Sequence, residues 1–231
     1  ARPTARYAGA PIGNSPFMDV WRSPRVAPHD RPYAPSAERN AAPILNVLRE
    51  VLADCVSVLE VGSGTGQHAV AFAAALPHLH WTTADQRLHH AGIRAWLGEA
   101  GLPNLSGPLS LEIGVDDFPA GPFDAVFTAN TLHYMPWAAV EQLFAAMPAV
   151  LRPGGRLVVY GPFREGGRFV SPNDPDFDAA LRDGAPYRGL RDIETVEGLA
   201  VAAGLRRVAA HHMPADNRCL VWQRRDDADE R

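Results

Sequence analysis

The sequence contains no lysine: all 22 of its basic residues are arginine, set against 26 acidic residues and a net charge of −4. That absence excludes Schiff-base catalysis through a lysine amine and any phosphate loop built on a lysine. Cysteine is scarce as well. Cys55 and Cys219 stand far apart without a Cys-x-x-Cys neighbour. Neither a disulfide framework nor a thiolate zinc site is expected, which fits a reducing compartment. No run approaches the roughly 18 uninterrupted apolar residues of a membrane span. The start, Ala1-Arg2-Pro3-Thr4, has no apolar segment of the secretory kind. The expectation is a soluble, cytoplasmic chain with no membrane partner. A pI near 6.1 offers no broad attraction for nucleic acid, and no ligand cluster suggests a metal.

What is present is enough for one core: 231 residues, 46% of them hydrophobic. Residues 1–35 form a leader whose Pro3, Pro11, Pro16, Pro24, Pro28, Pro32 and Pro35 forbid regular helix. Tyr7, Phe17, Met18, Trp21 and Tyr33 give it apolar anchors, so it is either a lid over a site or an extended tail. Residues 36–225 read as the domain and 226–231 as a tail. Within the domain, Ile44, Val47, Leu48 and Val51 follow helical spacing, and Val56–Val61 is a β-branched run that stops at Gly62. Helix 69–76, strand 80–84, a helix through Ile93 and Leu97, and strand candidates at 109–113 and 123–129 continue the alternation. Val140 to Leu151 is helical, with Pro148 expected to kink or shorten it. A turn at Pro153-Gly154-Gly155 leads into strand 156–160. Residues 161–190 look like a long irregular insertion. A last helix ends at Gly204, and 205–212 and 219–223 are expected to pair as an antiparallel hairpin. Alternating strands and helices predict a parallel α/β sheet.

The strongest signal is Glu60-Val61-Gly62-Ser63-Gly64-Thr65-Gly66, where a buried strand runs into glycines and a helix begins. Glycines admit a ligand to the backbone, and a helix N-terminus offers free N–H groups. The spacing G-x-G-x-G differs from the dinucleotide fingerprint, whose third glycine comes one residue later. Glu60 would repel a pyrophosphate but could receive the ammonium of an amino-acid ligand. S-adenosylmethionine carries that ammonium and no phosphate. Asp85, just past the second strand, is either a helix cap or loop residue or, as the glycine loop before it favours, the carboxylate that bonds two ribose hydroxyls. Glu112 is either the acceptor for an adenine amino group or a plain strand-end carboxylate.

The loop Glu60–His68 resembles that of class I methyltransferases. A longer set is narrower: Glu38-Arg39-Asn40 with Pro43-Ile44-Leu45, Asn130 through Trp137, Tyr160-Gly161-Pro162-Phe163, Gly189-Leu190-Arg191-Asp192 and Met213 through Asn217. In that order the motifs resemble the methyltransferase-like family of unknown function found in bacteria and animals, over about residues 31–225. The resemblance implies a Rossmann-like, mostly parallel seven-stranded sheet with helices on both faces, a C-terminal antiparallel hairpin and bound S-adenosylmethionine. It implies cofactor contacts at Arg39, Asn40, Ser63, His68, Gln86, Ile113 and Asn130, beside Glu60, Gly62, Gly64, Gly66, Asp85 and Glu112. Substrate contacts are expected at Tyr134, Trp137, Tyr160, Phe163, Arg191 and Asn217. Glu112 stands where the family has Asp, and His133-Tyr134-Met135 where it has His-Ile-Ser.

His133 follows the fourth strand and is either a general base for the acceptor or a packed ring. Arg39 and Arg191 either grip a substrate carboxylate or hold the leader and insertion. The reading is transfer of a methyl group to a small molecule. Its rivals are a protein that binds the cofactor without transfer and a nicotinamide-dependent oxidoreductase, the latter disfavoured by the glycine spacing.

Overall fold

The computed structural model describes residues 31–225, and strand–helix alternation governs most of them. Helix α1 (Pro35–Val51) precedes strand β1 (Ser57–Val61), followed by α2 (Gln67–Ala75), β2 (His80–Asp85), α3 (His90–Ala100) and β3 (Leu105–Ser110). Next come β4 (Phe123–Ala129), α4 (Trp137–Val150) and β5 (Leu151–Gly161). An excursion follows, with β6 (Phe163–Glu165), β7 (Arg168–Phe169), α5 (Asp174–Gly184) and β8 (Arg191–Asp192). The chain returns through α6 (Ile193–Ala202), β9 (Leu205–His212) and β10 (Arg218–Arg224). The main sheet has the order β3-β2-β1-β4-β5-β10-β9, and only β10 runs antiparallel to its neighbours. This is the Rossmann-like α/β fold with its C-terminal antiparallel hairpin.

Successive residues of a strand face opposite sides, and the two cores follow from that alternation. Leu59, Val61, Val126 and Val159 pack against Val140, Phe144 and Met147 of α4 and Val196 of α6. Val58, Phe127, Val158 and Val221 pack against Ile44 and Leu48 of α1 and Phe72 of α2. Burial on both faces explains why β1 and β4 read as near-continuous apolar runs. The strand order reverses between β1 and β4, which in open α/β sheets puts the ligand crevice outside the carboxyl ends of those strands.

Three elements differ from expectation. Strand β3 lies at 105–110 and not 109–113, because Gly107-Pro108 reads as a strand breaker. Proline is tolerated there because β3 pairs only with β2, at the edge of the sheet. Helix α4 runs on to Val150, with Pro148 accommodated in its last turn. Residues 161–190 are not wholly irregular: β6 pairs with β7 and, just past this stretch, with β8 in a second small sheet, and α5 carries Pro175 in its first turn, where a missing N–H costs nothing.

Candidate functional site

The glycine loop leaves β1 with Gly62, Gly64 and Gly66 at φ of +74°, +59° and +90°. The three glycines are needed for different reasons. A Cβ on Gly62 would stand 2.6 Å from Thr131 Cγ2, whereas one on Gly64 would meet nothing within 4 Å. Packing therefore dictates Gly62, and Gly64 presents bare backbone to open space. Gly66 forms the N-cap of α2.

Asp85 ends β2 and faces this loop. Its Oδ2 accepts the Gly64 N–H at 2.6 Å, and its Oδ1 accepts the Gln86 N–H at 2.7 Å. Burial raises its pKa, opposed by the His89 charge and by those two backbone N–H groups. A carboxylate has further lone pairs, so both oxygens can still accept ligand hydroxyls. Beyond Asp85 lies a cavity of about 300 Å³ lined by Gln86, Arg87, Leu88, Glu112, Val115 and Asp116. Leu88 and Val115 expose 65% and 74% of their surfaces and give it apolar walls. Asp116 shapes that wall by accepting the Glu112 N–H at 2.9 Å and the Ser110 hydroxyl at 3.0 Å. Ile113 packs on the core behind it.

Glu60 sits lower, only 2% exposed, and its Oε2 accepts the Trp81 indole N–H at 3.1 Å. Burial pushes its carboxyl up to about 8, against hydrogen bonds from Trp81 and Ser63 that stabilise the charge. The Ser63 hydroxyl also donates to the Glu60 carbonyl at 3.3 Å. His68 holds α1 to α2 through Nε2 and the Ala37 carbonyl, 3.0 Å apart, and burial lowers its pKa to about 4.

On the far side of the crevice, Asn130 ends β4 at φ +55°, a strained conformation for a non-glycine, with its N–H bonded to the Tyr160 carbonyl at 2.8 Å. Asn40 and Arg39 stand on α1, Arg39 exposed. Tyr160 is buried. His133 is buried between Tyr134 and Phe177, with ring centroids 4.6 and 5.5 Å away. Burial, and then the Arg191 charge, drives its imidazole down to about 3. Both readings of His133, general base or packed ring, therefore start from a buried imidazole whose pKa burial lowers. Arg191 is committed to its own chain: it donates to the carbonyls of Leu132, Met135 and Tyr187 at 3.2, 2.6 and 3.0 Å and lies 5.7 Å from the Trp137 ring centroid. Phe163 is a core residue, and the Asn217 amide closes the β9–β10 turn onto the Pro214 carbonyl at 2.9 Å.

A model of a family described as a protein of unknown function (DUF938) matches residues 31–224. The chain belongs to the DUF938 family. Solved structures show the same fold. An O-methyltransferase family protein from Burkholderia thailandensis is 19% identical at a TM-score of 0.70, over 82% of this chain and 57% of its own. The S-adenosylmethionine-dependent methyltransferase SibL, in its apo form, is 25% identical at 0.67, over 82% and 56%. Human N-acetylserotonin methyltransferase in complex with SAM is 16% identical at 0.67, over 81% and 52%. This DUF938 chain therefore has the class I methyltransferase fold, and it spans little more than half the length of those proteins.

Sequence reasoning missed several residues of this candidate site. Trp81, the partner of Glu60, reads as an ordinary strand residue. Gln67 accepts the Ala34 N–H at 2.5 Å and the Thr65 hydroxyl at 3.0 Å, fastening the chain before α1 to the glycine loop. Phe177, over His133, was detectable, since Phe177, Ala180 and Leu181 follow helical spacing. No helix among the described residues is long and apolar enough to cross a membrane.

Proposed function

We propose that this chain binds S-adenosylmethionine along the carboxyl edge of β1, β2 and β4 and transfers its methyl group to a nucleophilic atom of a small molecule. The observation that carries the reading is Gly64: bare left-handed backbone facing open space, tied to a carboxylate that keeps accepting capacity. The residues fit the cofactor. Asp85 would take the ribose hydroxyls, and the cavity walled by Leu88 and Val115 would take the adenine, with Gln86, Glu112 and Ile113 beside it. Gly62, Ser63, Gly64 and Gly66 would line the amino-acid end, with Glu60 beneath them and Arg39, Asn40 and Asn130 opposite. When bound, the cofactor supplies an electrophilic methyl on a sulfonium.

The chain's own part is positioning and exclusion of water. Asn130, held by its bond to Tyr160, sets the path of the segment carrying His133 and Tyr134, and Arg191 fixes that segment through its carbonyls. Tyr134 and Trp137 remain half-buried and would contact the acceptor. The acceptor class proposed is a small, non-nucleic-acid molecule met in the cytoplasm.

A protein that binds the cofactor without transfer is the second reading, favoured by the weakly basic His133. Calorimetric titration with S-adenosylhomocysteine and with NAD tests the site, and transfer of labelled methyl to candidate acceptors separates the two readings. Failure of S-adenosylhomocysteine to bind the folded chain, whether or not NAD binds, would end the proposal.

A further inference from the structure

We infer that Arg188, held against the rings of Tyr134 and Tyr187, receives an anionic group of the methyl acceptor. The inference rests on the methyl-transfer reading above and deepens it by giving the acceptor a charge. Arg188 stands in the segment Ala185-Pro186-Tyr187-Arg188-Gly189, just past α5, and the backbone on both sides of it is pinned. The Arg188 N–H donates to the Ala185 carbonyl at 3.0 Å, the Gly189 N–H to the His133 carbonyl at 3.0 Å and the Leu190 N–H to Asp178 Oδ1 at 2.7 Å. Gly189 permits this close approach, since a Cβ there would stand 2.7 Å from Arg182 Nη2 and 2.8 Å from the same Asp178 oxygen. The turn therefore offers Arg188 at a fixed place beside the segment that follows β4.

Aromatic rings then aim the side chain. The guanidinium carbon lies 5.4 Å from the Tyr134 ring centroid and 5.9 Å from that of Tyr187, within reach of cation–π attraction. Such contacts hold a cation without spending its N–H groups. Arg188 Nε is buried with no hydrogen-bond partner among the described residues, and a buried donor left unpaired needs an explanation. Other arginines nearby are spoken for. Arg164 pairs with Asp192, Arg182 pairs with Asp178 at 2.7 Å, and Arg191 gives its donors to carbonyls. Two carboxylates thus serve four guanidinium groups, and among the described residues no carboxylate pairs with Arg188. Burial and then the Arg182 charge lower the Arg191 pKa, Asp178 opposes them and Arg164 adds to the fall, as an excess of cations here requires. Tyr134 and Trp137, half-buried on the same segment, are the side chains proposed above to touch the acceptor. An acceptor with a carboxylate or phosphate would lay its body on those rings and give two oxygens to the Arg188 fork.

The test uses the full chain, its Arg188→Met and Arg188→Gln variants, and three probes: benzoate, phenylphosphate and the neutral benzamide. Each probe is titrated into the S-adenosylhomocysteine complex and followed by saturation-transfer NMR. The wild type should bind benzoate, phenylphosphate or both, and leave benzamide unbound. Both variants should melt cooperatively, bind S-adenosylhomocysteine as the wild type does, and hold the anion roughly tenfold more weakly or worse, because hydrogen bonds to a charged group are lost. Binding of benzoate alone marks the acceptor's anion as a carboxylate, and binding of phenylphosphate alone marks it as a phosphate. Neither anion bound by the wild type, benzamide bound as well as benzoate, or an anion affinity unchanged in either folded variant overturns the inference and leaves the cofactor reading standing. A wild-type chain that does not bind S-adenosylhomocysteine removes the cofactor reading, and this inference with it.

Discussion

The Asp85 carboxylate accepts the Gly64 N–H at 2.6 Å and so joins the end of β2 to the middle of the glycine loop. The bond lets one side chain serve two ends: it fixes a loop that has no side chain to anchor it, and it retains lone pairs for a ligand. Asp85→Ala should weaken S-adenosylmethionine by roughly 1–3 kcal/mol, since hydroxyls bonded in the complex lose their acceptor. Titration calorimetry on the folded variant measures this. A change within error would return Asp85 to a loop-fixing role alone.

Gly64→Leu separates folding from binding. The left-handed backbone costs a branched residue about 1–2 kcal/mol, but its side chain meets no neighbour, so the domain should still melt cooperatively. Cofactor binding should vanish, because the leucine would fill the space the backbone presents. Unchanged affinity would sink the assignment of the loop.

Glu60 predicts a stability trend in the alkaline direction. Its folded pKa of about 8 exceeds the ordinary 4.5, so the folded state holds a proton that the unfolded state has released. Stability is then fully present below pH 4.5 and lost as pH rises through about 8. Glu60→Gln keeps a carbonyl acceptor for the Trp81 N–H and removes the titration. Between pH 5 and 9 the variant should therefore lose less stability than the wild type, by roughly 2–4 kcal/mol. Urea melts at several pH values give the comparison, and parallel curves would contradict the buried, protonated state.

Much of this architecture was legible because burial on both faces writes itself into the strands. Val56–Val61 and Phe123–Ala129 are mostly apolar, broken only by Ser57, Glu60, Asp124 and Thr128, and both hold central strands. Edges and excursions were harder. Leu105–Ser110 carries Gly107-Pro108 and pairs on one side only, so neither periodicity nor composition marks it. The glycine loop and Asp85 were found from spacing, because close backbone approach leaves a residue-type signature. The duties of Arg191 and Asn217 were not legible. Both spend their donors on backbone carbonyls distant in sequence or across a turn, and a carbonyl has no residue type to read. Ala215, in a positive-φ conformation at the β9–β10 turn, likewise carries nothing in its identity that announces it.

His133 and His68 predict the acid side of the profile. Both are buried neutral, with pKa values lowered from 6.5 to about 3 and about 4. A lowered imidazole leaves stability intact above 6.5 and removes it as pH falls toward the folded value, because only the unfolded ring takes up its proton freely. His133→Phe should keep the packing against Tyr134 and Phe177 while deleting one of the two titrations. At pH 5 it should recover about 2 kcal/mol relative to the wild-type loss from pH 7. An acid limb identical to wild type would show that the ring is reached by solvent.

The last prediction concerns the chain ahead of α1. A lid was one reading of the leader at 1–35; its residues 1–30 lie outside the described residues, but residues 31–34 do not, and they are fastened at several points. The Trp96 indole N–H donates to the Pro32 carbonyl at 2.7 Å, and the Arg31 guanidinium lies 3.9 Å over the same ring while pairing with Glu99 at 2.9 Å. Gly92 leaves room for Pro32, since a Cβ there would come within 2.4 Å of the proline ring. Further on, Gln67 grips Ala34 through both its N–H and, at 3.4 Å, its carbonyl. This strap runs from the outside of α3 to the first turn of α2, whose N-cap is the third glycine of the loop. The strap itself ends beside the proposed cofactor site, and prolines such as those of the leader lower the entropy lost when a segment orders. Deleting residues 1–30 should therefore lower turnover or cofactor affinity while the domain still melts cooperatively. Gln67→Ala in the full chain should weaken the cofactor as well, by loosening the loop from the strap. Hydrogen exchange with S-adenosylhomocysteine bound gives the direct measurement. A leader without protection, together with unchanged kinetics after truncation, would leave the strap as a fastening of α1 and dispose of the lid.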